Sequence, residues 1–449
     1  MERKCPVARH RPVNYVVEAR PEALPDAVRK EAKRTFLNWV GCAVGGSHHE
    51  TLDIAIAALS PFAGAGTSSI LGRAERTDPL HAALFNGISS HVFDFDDTHL
   101  RTVIHPAGPV ASALLAYAEY RPVTGPDFIN ALVLGVEVEC RIGKAVFPAH
   151  YDVGWHITGT TGVFGAAAAV GKLLGLDAQR MAWAFGLAAT QPVGLRDMFG
   201  TMTKSFHPGR AAQNGFTAAL LAQKGYTSSE QGIEAKRGWA NVLSTSRNYD
   251  EITENLGKSY EISVNSYKPF ACGIVIHPTI DGCIQLRNAE HLDPTLIRSV
   301  DLRVHHLVLE LTGKTAPKTG LEGKFSVYHA AAMAFIDGTG GEKQFSNEAV
   351  VNPNVIALRE RIKATVDPAI APDEVRITVT LMDGTVIEHH VPHAIGSIAR
   401  PMTDADLERK FQDLADDILG PQRVKELLAQ CWDLERFNDV GKLSAAARL

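Results

Sequence analysis

From His91 to His99 the chain reads His-Val-Phe-Asp-Phe-Asp-Asp-Thr-His, and His105-Pro106 follows six residues later. Carboxylates beside apolar sequence are costly to desolvate unless they are paired or used. Imidazoles, which exchange protons near neutral pH, are the natural partners. Together they point to proton transfer, and this stretch is the first place to look for chemistry. Four further polar clusters share the habit of sitting at a helix mouth beside Gly or Pro. They are Gly154-Trp-His156-Ile-Thr-Gly-Thr-Thr, the run Gly194 to Arg210 containing Lys204 and His207, Ser266-Tyr-Lys268-Pro with His277-Pro278, and Gly323-Lys-Phe-Ser-Val-Tyr328-His329. Pro208 suits a first helical turn, so the loop before it is expected to offer free backbone N–H groups beside Lys204, His207 and Arg210, an anion cradle.

Each cluster has a plainer reading. A histidine before a helix is more often a cap or a satisfied core group than a catalyst, and a lone lysine is most often a surface residue. Asp96 and Asp97 are good helix caps by type. His305, His306, His389 and His390 sit in strand texture without convergent partners and are assigned no role. The case for function rests on all five clusters together.

Those residues need a scaffold, and the chain has two textures. From about residue 22 to 245 the pattern is helical: Val28, Ala32, Phe36, Val40 and Ala43 recur at helical steps, between Pro25-Asp26 and Gly45-Gly46. Further helices are expected over 109–120, 127–146, 160–174, 177–189 and 211–224. Many are rich in Ala and Gly, which lets helix backbones approach closely. After about residue 260 strands appear, around Val300–Val304 and Val375–Leu381, the latter turning through Asp383-Gly384 into Thr385–Val391. A helix is expected over 325–336, and the tail from 404 to 428 is helical again. The fold class is mainly α: a large multihelical domain (residues 1–262), a smaller α+β lid domain (263–398) and C-terminal helices (399–449) packing back.

Composition narrows the class. The 449 residues are 45% hydrophobic and 21% charged, with a net charge of −5. That is ordinary for a soluble globular chain and argues against a general nucleic-acid binder. Six cysteines without CxxC spacing give poor support for a zinc site, an iron–sulfur cluster or a disulfide framework. The start, Met1-Glu-Arg-Lys-Cys-Pro, has no apolar core of a secretory signal, and no stretch reads as a membrane span, so a cytoplasmic location is expected.

The chain resembles the MmgE/PrpD family, which includes 2-methylcitrate dehydratase, cis-aconitate decarboxylase and iminodisuccinate epimerase. The resemblance runs over nearly the whole length, through Thr35–Gly46, Leu80–His99, Thr203-Lys-Ser-Phe-His-Pro-Gly-Arg-Ala-Ala-Gln-Asn-Gly215, Lys268-Pro-Phe, His277-Pro-Thr-Ile-Asp281, Lys324-Phe-Ser-Val-Tyr-His and Pro401-Met-Thr-Asp. It implies a helical domain plus a lid, a homodimer, no metal or organic cofactor, and an active site between the domains. By resemblance, Asp94, Thr98, His105, His156, Lys204 and Lys268 line that site. The family's lid tyrosine falls at His329, with Tyr328 beside it, a departure at a position that helps shape the pocket.

Both readings meet on a small di- or tricarboxylate, which Lys204, Lys268, Arg210, His207 and a helix N-terminus could hold. His105 is the first choice for acid or base and His156 the second. Asp94 would orient an imidazole or bind a substrate hydroxyl, Thr98 would position a carboxylate, and the lysines would stabilise an enolate-like intermediate. The leading expectation is a cofactor-independent lyase, a dehydratase of the 2-methylcitrate type with decarboxylation as a variant. The alternative is an epimerase of an amino- or iminodicarboxylate. A remote alternative places a metal on Asp94, Asp96, Asp97 and His99.

Overall fold

The computed structural model describes residues 11–449; Cys5 and the N-terminal stretch read above for a secretory signal lie outside the described residues. The helical and α+β parts each have their own hydrophobic core. The helices expected from periodicity form at Asp26–Gly45, Ala107–Tyr120, Gly125–Val146, Ile157–Leu173 and Ala178–Ala189. Their starts follow capping chemistry, as where Thr124 and Asp177 side chains accept the N–H groups of Asp127 and Arg180. Two more helices complete the frame of the site, Pro79–His91 and Thr203–Gln223. They cross with backbones almost touching: a Cβ on Gly87 would lie 2.4 Å from Gly209 Cα. Only glycine at both positions permits that approach, and it brings the end of one helix, at His91, over the start of the other, at Lys204.

Helix Thr203–Gln223 corrects the sequence reading. It begins five residues before Pro208, which therefore sits inside the helix. Proline has no N–H, so the cost near this end is chiefly the lost bond to the Lys204 carbonyl. The gain is that Lys204 and His207, one turn apart, both point inward. The loop of free N–H groups before Pro208 does not exist.

The α+β part is a four-stranded sheet whose neighbours run Ile362–Val366, Ile297–Val304, Val375–Leu381, Val386–Val391. The first pair is parallel and the rest antiparallel. Helices His277–Ala289 and Val327–Asp337 pack with it. The strand expected at residue 305 ends at Val304, and His305 instead caps the short helix His306–Thr312. Helices Asp404–Leu419 and Pro421–Trp432 pack on Asp26–Gly45. Among the described residues no helix is long and apolar enough to cross a membrane.

One small pairing matters for the site. Asp97–His99 forms an antiparallel ladder with Asn265–Tyr267, Thr98 opposite Ser266. That register lays Lys268 beside the aspartate-rich turn, although 174 residues separate Lys268 from Asp94.

Candidate active site

Helix Pro79–His91 ends at His91, and the chain turns through Asp94, which takes a left-handed backbone conformation with φ of 51°. This conformation costs an L-residue about 1–2 kcal/mol, so surrounding contacts must hold it. They do: Oδ1 of Asp94 lies 3.0 Å from Lys204 Nζ, and Lys268 Nζ donates to the same oxygen at 2.5 Å. Burial alone would raise the Asp94 pKa, but Lys204 and Lys268 hold it well below the ordinary carboxylate value. The other carboxylate oxygen, Oδ2, is buried and has no partner. A buried acceptor left unmatched is expensive, which marks a place for a ligand's donor.

Three imidazoles surround this carboxylate. His91 bonds through Nδ1 to Asp96 (2.7 Å) and through Nε2 to Lys204 Nζ (3.1 Å). An ammonium can only donate, so Nε2 accepts and the His91 proton sits on Nδ1. His105 reaches the cavity from the hairpin that closes when the His99 N–H meets the Ile104 carbonyl, and Thr158 accepts its backbone N–H. Its Nδ1 lies 2.7 Å from the Asp97 carbonyl, with Thr98 Oγ1 at 3.3 Å. A carbonyl can only accept, so Nδ1 carries the proton and Nε2 is left as the basic nitrogen. His156, just ahead of helix Ile157–Leu173, pairs Nδ1 to Nδ1 with His207 at 2.8 Å. Gly194 makes that pair possible, since at φ of 105° an added Cβ would come within 2.9 Å of the His207 ring.

All four rings are held neutral. Burial pushes His91, His105 and His156 below the ordinary value, and His207 down to about 3. Neighbouring cations act in the same direction, Lys204 on all four and Lys268 on His105 as well. Burial also lowers Lys204, against the pull of Asp94.

Asp94, Thr98, His105, His156, Lys204 and Lys268 line one narrow cavity, whose opposite wall comes from the α+β part through Ile274, Leu311 and Phe325. Lys204 Nζ lies 5.3 Å from the ring centroid of Phe199 and 5.4 Å from that of Phe325, one ring from each part of the molecule. His207 stands behind His156 rather than in the cavity. Three residues expected at the site are elsewhere. Arg210 is exposed on the outer face of its helix and bonds to Gln213. Tyr328 packs half-buried on the α+β core. His329 is fully buried, its Nε2 on the Gln344 carbonyl at 2.8 Å and its ring against Phe345. Position 329 is the third residue of its helix and faces into the domain, so it cannot shape the cavity directly.

The sequence reading gave His91 no role and Asp96 only that of a helix cap or a remote metal ligand, although both lie in the quoted motif. Asp97 does cap a helix, from a distance: its carboxylate accepts the N–H of Ala107, at the start of helix Ala107–Tyr120, because Pro106 offers no side-chain acceptor. The metal set proposed from the motif is dispersed, since His99 turns away to Thr102 and Glu261. Among the described residues a different set converges, His91, Asp94, Asp96 and His105, with ligand atoms within 4.8 Å of one another. Its Asp94 oxygen already meets two ammonium groups, a poor setting for a cation.

The MmgE/PrpD N-terminal domain matches residues 12–252 and the MmgE/PrpD C-terminal domain residues 270–434. The chain is 26% identical over 452 residues to cis-aconitate decarboxylase of Aspergillus terreus, covering 94% of this chain and 91% of the relative. It is 27% identical to the human cis-aconitate decarboxylase, covering 94% and 90%. It is 24% identical to 2-methylcitrate dehydratase of Cupriavidus necator, covering 80% of each. With both domains matched in order over most of its length, the chain belongs to the MmgE/PrpD family.

Proposed function

We propose that this protein is a cofactor-independent lyase of a small tricarboxylate, with decarboxylation of cis-aconitate as the first activity to test and dehydration of 2-methylcitrate as the second. The observation that carries the reading is the pairing of Lys204 and Lys268 on one carboxylate oxygen beside three neutral imidazoles, in a cavity with apolar walls. Buried ammonium groups next to a small cavity favour a polyanion, and a dry wall strengthens their field.

Both reactions place an electron pair next to a carboxylate. Loss of CO₂ breaks a carbon–carbon bond and leaves that pair delocalised as an enediolate, which a proton on carbon then quenches. Dehydration generates the pair by removing a proton, and expels hydroxide with a second proton. Lys204 and Lys268 stabilise the enediolate in either case. His105, with its basic Nε2, suits the abstraction that dehydration requires. His156 suits donation: with His207 Nδ1–H donating a hydrogen bond to its Nδ1, the neutral His156 ring carries its own proton at Nε2. Asp94 Oδ2 would receive a substrate hydroxyl, and Thr98 a carboxylate. Decarboxylation needs only the donor, dehydration both groups. Relatives named cis-aconitate decarboxylase favour the first, and the two-imidazole geometry accommodates the second.

The epimerase alternative would use the same two imidazoles on opposite faces of one carbon. Proton NMR in D₂O with cis-aconitate, 2-methylcitrate and iminodisuccinate separates the three: loss of a carboxylate, gain of an alkene, or deuterium at carbon without either. No turnover of any of them would overturn the reading. Assembly as a cytoplasmic homodimer belongs to the same proposal, and light scattering on the purified protein tests the dimer.

A further inference from the structure

Three successive carbonyls in the aspartate turn each accept from a different buried ammonium. Lys324 Nζ donates to Phe93 O at 2.8 Å, Lys268 Nζ to Asp94 O at 3.1 Å and Lys410 Nζ to Phe95 O at 2.5 Å. The outer two reach further. Lys324 also donates to Ala271 O at 2.7 Å, and Lys410 to Lys268 O at 2.9 Å and Asn38 Oδ1 at 2.8 Å. Each therefore ties the turn to the segment 268–271, one on either side of the Asp94–Lys268 ion pair. Each ammonium also faces the ring of the residue whose carbonyl it caps, Lys410 at 4.0 Å from the Phe95 centroid and Lys324 at 5.5 Å from that of Phe93.

The turn needs such partners. It lies between a helix and a strand, so neither ladder takes these carbonyls, and buried backbone acceptors must be matched. An ammonium offers three donors and can bridge carbonyls from separate segments, which a hydroxyl cannot do. The lysines come from distant parts of the chain, Lys324 just ahead of helix Val327–Asp337 and Lys410 from helix Asp404–Leu419. Neither lines the cavity that holds His105 and His156.

We propose that Lys324 and Lys410 are positioning residues, clamping the Asp94 turn against Lys268 so that one carboxylate oxygen meets both Lys204 and Lys268. For catalysis this rests on the reading of the site given above.

The test compares Lys324→Met and Lys410→Met, alone and with Asp94→Asn, by steady-state turnover of cis-aconitate and by hydrogen exchange of the intact protein. Each single change is expected to lower kcat about tenfold or more with KM within about threefold, because small misplacements of reacting groups cost this much. In the Asp94→Asn background the further loss should shrink to about twofold or less, since coupled residues are not additive. Exchange should quicken over 92–97 and 267–272 and not in helix Ala107–Tyr120. Equal losses in both backgrounds, or faster exchange throughout, would reduce the lysines to general stability and overturn the proposal, as would unchanged kcat. If wild-type protein turns over no carboxylate, the functional reading fails separately, and local exchange still decides the clamp. Should a methionine variant not fold, Lys324→Arg and Lys410→Arg retain the charge but not the geometry. They should show the same confined exchange, and wild-type exchange in them would overturn the clamp.

Discussion

His105 donates its Nδ1 proton to the backbone carbonyl of Asp97 at 2.7 Å, so the ring's tautomer is set by the main chain rather than by a carboxylate. Asp96 Oδ1 lies farther off, at 3.6 Å, and is buried without a hydrogen-bond partner. A carbonyl cannot take the proton away, so the arrangement keeps Nε2 basic without building a permanent imidazolium.

Replacing His105 with Ala should cut kcat by about 10²–10⁴ if it transfers the proton, with KM little changed. Burial, reinforced by Lys268, His91 and Lys204, keeps its pKa well below 6.5. The kcat/KM profile should therefore show no loss as pH falls through 6.5, and an acid limb centred there would exclude His105 as the group titrating.

Among the described residues Asp94 is the only anion within ion-pair distance of Lys204 and Lys268, so Asp94→Ala should leave two buried cations uncompensated and cost about 3–5 kcal/mol, read by denaturant unfolding. Its folded pKa is lowered below the ordinary 3.8. The stability it contributes is thus fully present above that value and is lost only as pH falls toward the folded pKa. Between pH 5 and 8 the gap between wild type and variant should stay constant, and a gap that closes near pH 6 would contradict the assignment.

How much of this was legible in the sequence follows from range. The helices bear their signal locally, in periodicity and in caps such as Asp177, and were read to within a few residues. Strand Ile362–Val366 was missed because only Ile362 on it is buried, leaving no alternation to see. The start of helix Thr203–Gln223 was misplaced because Pro208 is a good first-turn residue, while the actual site of tolerance depends on tertiary packing. The aspartate motif located the site, yet the matching of its carbonyls by Lys324, Lys268 and Lys410 joins residues more than 170 positions apart and leaves no local pattern.

Glu139 is fully buried and neither carboxylate oxygen has a partner, while burial and the nearby Asp96 raise Asp97 to about 7. Burial, then Asp97, lifts Glu139 well above its ordinary 4.5. The folded protein therefore keeps protons that the unfolded chain releases, and stability should fall as pH rises from about 4.5 to 7. Glu139→Gln removes one of the two titrations. Its melting temperature should fall less steeply than wild type across that window, and parallel profiles would show that Glu139 is not the source.

Arg210→Ala should leave kcat/KM within about twofold, since exposed residues away from the reacting groups contribute little. A large rise in KM would return Arg210 to the substrate site and require helix Thr203–Gln223 to turn.

His329→Tyr tests whether the family's tyrosine position governs the substrate here. The ring of His329 lies close to Gly323, where an added Cβ would meet Cδ2 at 3.2 Å, and its Nε2 is committed to Gln344. A phenol is larger and has its hydroxyl farther out, so it would overpack the space beside Gly323 and lose that bond. Such overpacking typically costs about 1–3 kcal/mol. Because the side chain faces the interior of the α+β part and not the cavity, preference among cis-aconitate, 2-methylcitrate and iminodisuccinate should not move, while the melting temperature falls. A change of preferred substrate at unchanged stability would mean that helix Val327–Asp337 turns this residue toward the cavity during turnover.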